Sequence, residues 1–293
     1  MPVSGRKVLK TLIGTYPHTA PLKSGALRSD RFDLAFTEIV PVWDGFDGMI
    51  REDKYDLSEM AIVTYLIARA HGKELALLPA AMIGRFQHPF AITNAEKGAL
   101  TPADLNGKRV GVRAMTTTTG VWLRGILAND YGVDLDSIDW VTFEEPHVAE
   151  YHDTSRRAPP GRKSVDMLLD GELDAVLGES STDPRIRNLF GDPQAEAKRW
   201  HAKHKVVPIN HLMVMRSADV RADPDTARAV WRLLSEGKRL AGPPADPDPV
   251  PFGIEANRNS LALIAEYAFQ LGLIPQRVSV DEMFAETAAL VSE

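Results

Sequence analysis

Hydrophobic and polar positions along the chain follow two spacings, one typical of strands and one typical of helices. Short, mainly apolar runs predict strands at 8–15, 31–40, 55–61, 75–83, 108–115, 138–143, 174–179 and 209–215. Apolar residues at helical spacing predict helices at 43–55, 62–71, 101–107, 121–131, 165–169, 185–205, 225–240 and 260–271, and the Pro- and Gly-containing stretch 145–163 predicts a loop. The alternation predicts an α/β fold with largely parallel sheets covered by helices on both faces.

The order of these elements predicts two lobes. The second group of strands and helices, residues 92–210, is inserted between an N-terminal part, 1–91, and a C-terminal part, 211–293, which together form the first lobe. Two lobes joined by two crossing strands leave a cleft between them. Because ligands of open α/β sheets bind beyond the carboxyl ends of strands, we expect the functional site in this interlobe cleft.

The strand and the helix within 108–131 are joined by a turn of four threonines, Thr116, Thr117, Thr118 and Thr119. Backbone N–H groups at a helix start have no intrahelical partner, and the helix dipole adds partial positive charge there. Four hydroxyls beside these amides favour an anion-binding turn for a carboxylate, a phosphate or a sulfonate. The alternative interpretation is ordinary N-capping, for which one threonine suffices.

Composition and charge exclude several classes of function. The chain has 293 residues, of which 44% are hydrophobic and 25% charged, as in soluble globular proteins. The net charge of −6, without a basic run interleaved with aromatics, argues against nucleic acid as a partner, and no apolar run is long enough to span a membrane. Residues 1–14 lack the apolar region of a signal peptide, which predicts a cytoplasmic location. The chain has no cysteine, which excludes disulfides, thiolate metal sites and cysteine nucleophiles.

Polar side chains that follow predicted strands are the candidate site residues. They are Tyr16, His18, Ser58, Glu59, Arg85, His88, Glu179 and His211. In a two-lobed protein these side chains converge at the cleft with the threonine turn. Each type also has a structural interpretation. The arginine could pair at the surface, the glutamates could cap helices, and the histidines could be hydrogen-bonded turn or core residues.

The remaining histidines give weaker signals. His147 and His152 lie in the predicted loop at a spacing that does not match a helical metal pair, so we expect both to be solvated and predict no metal site. His201 and His204 are expected on an exposed helix surface. No Gly-x-Ser-x-Gly sequence occurs, so a hydrolase with a serine nucleophile is not indicated.

Several segments together carry a family resemblance that extends over nearly the whole chain. They are 16–25, 55–60, 85–88, 104–112, 188–193, 208–211 and 251–258. On these segments the sequence resembles the 4,5-dihydroxyphthalate decarboxylase family, a cytoplasmic branch of the type II periplasmic-binding-protein fold. Segment 104–112 alone indicates only this fold, whereas 16–25 and 85–88 are more specific. The chain departs from the family pattern at 143–148, which bears on the substrate rather than on the fold.

The resemblance implies a two-lobed α/β fold with mixed sheets flanked by helices and an interlobe cleft. It also implies decarboxylation of a hydroxylated aromatic carboxylate, 4,5-dihydroxyphthalate to protocatechuate or a close analogue. The ring carbon that bears the carboxylate takes up a proton and then loses carbon dioxide. No redox or Schiff-base cofactor is required for this chemistry, and the help of a divalent ion at the catechol oxygens is left open.

Roles for the candidate residues follow from this chemistry. The threonine turn and Arg85 suit carboxylate binding, because arginine pairs with a carboxylate in bidentate fashion. His88 or His18 is expected to deliver the proton, since imidazole titrates near neutrality. Glu59 or Glu179 is expected to polarise the phenol hydroxyls. The expected substrate site also contains Tyr16, Ser58 and His211.

Two alternative functions are left open. The first is a solute-binding protein of an ABC importer for a small organic anion, because one scaffold serves both binding proteins and enzymes. The second is a related lyase that acts on another aromatic or cyclic carboxylate. The expected partner is a small aromatic carboxylate substrate, and assembly into a homo-oligomer is left open as well.

Overall fold

The computed structural model describes residues 6–291, so the outermost parts of the predicted first lobe, 1–5 and 292–293, lie outside the described residues. The strands are β1 (Lys7–Leu12), β2 (Phe32–Thr37), β3 (Leu57–Ala61), β4 (Leu75–Gly84), β5 (Ala91–Asn94), β6 (Arg109–Val112), β7 (Asp139–Thr142), β8 (Arg156–Arg157), β9 (Ala175–Leu177), β10 (Ile186–Asn188) and β11 (Ile209–Arg216).

The helices alternate with these strands through most of the chain. They are α1 (Ala20–Lys23), α2 (Phe46–Arg51), α3 (Ile62–Ala70), α4 (Thr118–Tyr131), α5 (Ser164–Leu169), α6 (Pro193–His204), α7 (Ser217–Ala222), α8 (Pro224–Leu240), α9 (Ile254–Gln270), α10 (Val280–Met283) and α11 (Ala288–Val291). Short 3₁₀ turns occur at Val42–Gly45, His88–Phe90, Ala95–Lys97, Pro102–Leu105 and Leu135–Ser137.

The strands form two mixed sheets. The first has the order β2-β1-β3-β11-β4, and the second has the order β10-β5-β9-β6-β7-β8. Pairing is parallel around β1 and β6, where helices connect successive strands, but β11 is antiparallel to β3 and β4, and β5 is antiparallel to β9 and β10. The α/β class with mixed sheets is therefore confirmed. The expectation of largely parallel sheets holds only for the blocks with helical crossovers.

The predicted helix at 185–205 is wrong in its first third. Residues Ile186–Asn188 instead form β10, an edge strand antiparallel to β5. The helix begins at Pro193, because the side chain of Asp192 accepts hydrogen bonds from the backbone N–H groups of Gln194 and Ala195. A proline at the first position and an aspartate before it are a strong start signal.

Helix α4 connects the two sheets through the hydrophobic core. Trp122 on α4 is fully buried, and its indole N–H donates to the carbonyl of Ile209 at 2.9 Å. The same indole lies edge-on to Tyr267 of α9, with ring centroids 5.8 Å apart. Gly125, one turn further along α4, admits this contact, because a Cβ atom there would lie 2.1 Å from the Tyr267 ring. Helix α4, which follows β6 of the second sheet, is thus packed directly against α9.

The lobe boundaries at 91/92 and 210/211 and the cytoplasmic location stay predictions. In the structure, β5 of the second sheet begins at Ala91, and β11 of the first sheet begins at Ile209. Among residues 6–291, no helix combines the length and the apolar character needed to cross a membrane.

Candidate functional site

A cavity of about 300 Å³ is lined by residues that come from both sheets. Its walls combine aromatic side chains with a few charged and polar groups, as is common in small-molecule sites. The lining residues are Trp43, Phe46, Ala61, Thr64, Ile83, Arg85, Phe90, Arg113, Thr117, Thr118, Thr119, His147, Gly178, Glu179, Ser180, Asn210 and His211.

Strand ends bring most of these residues together. Arg85 follows β4, Arg113 follows β6, and Glu179 comes two residues after β9. Because β6 and β9 are parallel, their carboxyl ends meet at one edge of the second sheet. Strand β11 runs antiparallel to β3 and β4, which places its first residues, including His211, beside the carboxyl ends of those two strands.

The threonine turn lies mostly in the cavity. Thr117, Thr118 and Thr119 line it, whereas Thr116 is buried and does not. The Thr117 hydroxyl donates to the carbonyl of Ala114, and the Thr118 hydroxyl accepts from the backbone N–H of Val63 at 3.3 Å. The Thr118 contact joins the starts of α3 and α4, so two helix N-termini converge on the cavity. Their first-turn amides and dipoles favour an anionic ligand.

Two guanidinium groups add positive charge. Arg85 stacks on Phe90, 3.9 Å from the ring centroid, and within residues 6–291 it makes no ion pair. Arg113 lies 5.4 Å from the Trp43 ring centroid and pairs with Glu144 at 3.3 Å. Arg85 is therefore the group that is available for a ligand carboxylate. Burial lowers the pKa of Arg85, but arginine remains charged at neutral pH.

Glu59 does not line the cavity, but it supports a residue that does. The carboxylate is fully buried, and one oxygen accepts from the Tyr16 hydroxyl at 2.8 Å and lies 2.6 Å from Nδ1 of His211. The other oxygen accepts from the backbone N–H of Gly14 at 2.9 Å. Ser58 is also buried outside the cavity, and its hydroxyl donates to the Glu59 carbonyl. His211 is thus the imidazole that a buried carboxylate orients toward the cavity, with Tyr16 behind it.

The two histidines expected to deliver the proton lie elsewhere. His88 is fully buried, with its ring 4.9 Å from that of Phe190, and burial lowers its pKa to about 4. His18 stacks on Tyr16 beside a separate groove, and burial there, together with Lys238, lowers its pKa to about 4. The expected convergence of both imidazoles with the threonine turn is therefore not what the structure shows.

The expectation of a solvated His147 is wrong. Its ring is half-buried in the cavity wall, with Nδ1 3.1 Å from the Thr64 hydroxyl, whereas His152 of the same loop is exposed. His204 also differs from the expected surface residue, since it pairs with Asp130 at 2.8 Å. The sequence around His147 carries no local signal for this position, because the loop is placed by contacts with distant residues.

Other lining residues were missed as well, although a signal existed for two of them. Arg113 stands between β6 and the threonine turn, and Asn210 directly precedes His211. Asn210 is buried, donates to the Thr119 hydroxyl at 3.1 Å, and accepts from Gln87 at 2.7 Å.

Glu179 lies in the cavity as expected. Burial raises the pKa of its carboxyl, an effect that Arg113 opposes. Over residues 6–291 the structure contains no group of three or more His, Asp or Glu side chains that could hold a metal ion.

Comparison with known proteins first defines the structural class. The chain has the fold of periplasmic binding proteins. It superposes on the periplasmic aliphatic sulphonate binding protein SsuA from Escherichia coli with a TM-score of 0.59 and 14% sequence identity, over 97% of this chain and 99% of that chain. No protein-family model matches the sequence.

Sequence comparison then points to particular enzymes. The chain is 28% identical over 302 residues to a 4,5-dihydroxyphthalate decarboxylase of Comamonas testosteroni, covering 96% of this chain and 91% of the relative. A 4,5-dihydroxyphthalate decarboxylase of Pseudomonas putida is 28% identical over 215 residues, covering 66% of this chain and 81% of the relative. The resemblance to these carboxy-lyases that the sequence motifs indicate is thus confirmed.

Proposed function

We propose that this protein is a decarboxylase of a hydroxylated aromatic dicarboxylate, with 4,5-dihydroxyphthalate or a close analogue as its substrate. The observation that carries this proposal is one cavity in which three features meet: an arginine that makes no ion pair within residues 6–291, two helix N-termini, and an imidazole backed by a buried carboxylate. The similarity to two decarboxylases supports the same reaction class.

The retained carboxylate of the substrate binds to Arg85 and to the first-turn amides of α4. A guanidinium offers two parallel N–H donors to a carboxylate, and hydrogen bonds to charged groups contribute about 1.5–3 kcal/mol each. The aromatic ring packs between the apolar walls that Phe46 and Phe90 provide. The second carboxylate, which is the one lost, then lies on the side of His211.

His211 is the proton donor in this proposal. Its imidazolium gives a proton to the ring carbon that bears the departing carboxylate, so a C–H bond forms there. The C–C bond to the carboxylate then breaks, its electron pair returns to the ring, and carbon dioxide leaves. A hydroxyl para to this carbon supplies electron density for the protonation. Glu59 acts as a positioning residue, because its carboxylate lies 2.6 Å from Nδ1 and holds the His211 ring in place.

The first experiment measures carbon dioxide release from 4,5-dihydroxyphthalate by the purified protein. Turnover is expected. Tight binding without turnover would contradict the proposal and would support the solute-binding alternative.

Three variants test the assigned roles. Arg85→Lys is expected to raise KM, because an ammonium group cannot reproduce the bidentate contact. His211→Gln and Glu59→Gln are expected to lower kcat by about 10² or more, which is the usual contribution of a positioned acid or base. His71→Gln, at an exposed position, serves as the control. Unchanged kcat in the His211 and Glu59 variants would remove this pair from the mechanism.

A further inference from the structure

The loop that follows β7 is hydrogen-bonded to α2, the helix that also carries the cavity residue Phe46. Arg51 of α2 donates from Nε to the carbonyl of His147 at 2.9 Å and from a terminal nitrogen to the carbonyl of Pro146 at 2.8 Å. Further along the loop, Glu150 pairs with Lys73 at 2.8 Å, and Val148 is buried in the core. The backbone around His147 is therefore held on both sides of the residue.

The imidazole ring of His147 is held by a hydrogen bond and by an aromatic contact. Nδ1 lies 3.1 Å from the Thr64 hydroxyl, which leaves Nε2 as the ring nitrogen that can meet a ligand. The ring packs against Phe46 at 5.7 Å between centroids, and Phe46 contacts His211 in the same way at 5.2 Å. Two imidazoles thus flank one aromatic ring in the cavity wall.

These two imidazoles stand in different electrostatic surroundings. His211 faces the buried carboxylate of Glu59. Burial lowers the pKa of His147 to about 4; Asp47 opposes this shift, and Arg113, His211 and Arg51 reinforce it. His147 is consequently neutral near pH 7, and a neutral imidazole cannot serve as a counter-charge for a carboxylate. It can both donate and accept a hydrogen bond, as a hydroxyl can.

We propose that His147 is a specificity-determining residue that binds an aromatic hydroxyl of the substrate through Nε2. This inference rests on the proposed function and adds to it the group that distinguishes a dihydroxylated ring from a monohydroxylated one. Arg85 and the helix N-termini account for the carboxylate, whereas a neutral imidazole nitrogen in the cavity wall matches a hydroxyl, with which it can exchange a hydrogen bond. Sites built to hydrogen-bond a hydroxyl discriminate strongly against analogues that lack it, because a buried polar group is then left unpaired.

The test compares 4,5-dihydroxyphthalate with 4-hydroxyphthalate, which keeps both carboxylates and one para hydroxyl. The ratio of kcat/KM for the two compounds is measured for the wild type, His147→Leu and His147→Gln. We expect the preference for the dihydroxylated compound to fall about tenfold or more in His147→Leu. It should be partly restored in His147→Gln, whose amide can reach the position of Nε2. His152→Leu, an exposed histidine of the same loop, is the matched control and should keep the wild-type ratio.

An unchanged ratio in a folded His147→Leu variant would overturn the inference. If that variant does not fold, Thr64→Val decides the question, since it frees the ring without removing it: a reduced ratio supports the inference and a wild-type ratio overturns it. If the wild type binds both compounds without turnover, the proposed function fails. The ratio of dissociation constants measured by calorimetry then gives the same test for His147. Binding of neither compound would overturn both proposals.

Discussion

The burial of His88 makes the stability of this protein sensitive to acid in a way that can be calculated. Its side chain is fully buried, and both ring nitrogens lack a hydrogen-bond partner within the described chain. Burial lowers its pKa from 6.5 to about 4, against the attraction of Glu196 and Asp130. Between these two values the unfolded chain binds a proton that the folded chain does not, so the free energy of unfolding falls as the pH falls.

The size of this effect follows from the two pKa values. Above about pH 7 the imidazole is neutral in both states and contributes nothing to the pH dependence. At about pH 5 the contribution reaches about 2 kcal/mol, and at about pH 4 and below it approaches about 3 kcal/mol. The variant His88→Leu has no titrating group at this position, so its free energy of unfolding should fall less between pH 8 and pH 5, by about 2 kcal/mol.

Urea unfolding followed by tryptophan fluorescence measures this difference, with Trp200 as a reporter 6.1 Å from the His88 ring. The control is His71→Leu at an exposed position, which should retain the wild-type pH dependence. Other buried histidines contribute equally to the wild type and to His88→Leu and cancel in the comparison. Equal pH dependence in the wild type and His88→Leu would show that burial of His88 does not make the protein sensitive to acid.

Two further predictions concern helices. Gly125→Ala should lower the free energy of unfolding by about 1–3 kcal/mol, because the new Cβ atom would overlap the Tyr267 ring. The same change in an exposed helix would raise the free energy of unfolding by about 1 kcal/mol. A variant that is more stable than the wild type in urea unfolding would contradict the packing of α4 on α9. Asp223→Ala should lower the free energy of unfolding by about 1 kcal/mol, because the Asp223 side chain accepts a hydrogen bond from the Thr226 N–H at 3.0 Å and caps α8. An unchanged midpoint of urea unfolding would show that the cap does not stabilise the protein.

The parts of the site that depend on local chain order could be predicted from the sequence. A strand followed by consecutive threonines and an amphipathic helix places hydroxyls and amides at a sheet edge, and Thr117–Thr119 lie there. Arg85 follows a buried strand and reaches the same cavity. These placements need only the strand order and the rule that ligands bind at carboxyl strand ends.

The parts that depend on long-range packing could not be predicted. His88 follows the same strand as Arg85, but a short 3₁₀ turn at His88–Phe90 directs its ring into the core formed with Trp200 of α6. His147 reaches the cavity because Arg51 binds its loop, and the sequence pattern near either residue does not indicate that contact. The sequence predicts Glu59 as a site residue, but its position behind His211 follows from the pairing of β3 with β11.

The contact between α4 and α9, formed by Trp122, Gly125 and Tyr267, bears on how a small molecule enters the protein. Helix α4 has the threonine turn at its N-terminus and packs along its side against α9, which holds the turn in place. A binding protein that closes around its ligand by a hinge motion needs a contact at this place that can open and close. Here α4 and α9 are in direct contact, so any movement that separates them has to break the edge-on contact between Trp122 and Tyr267.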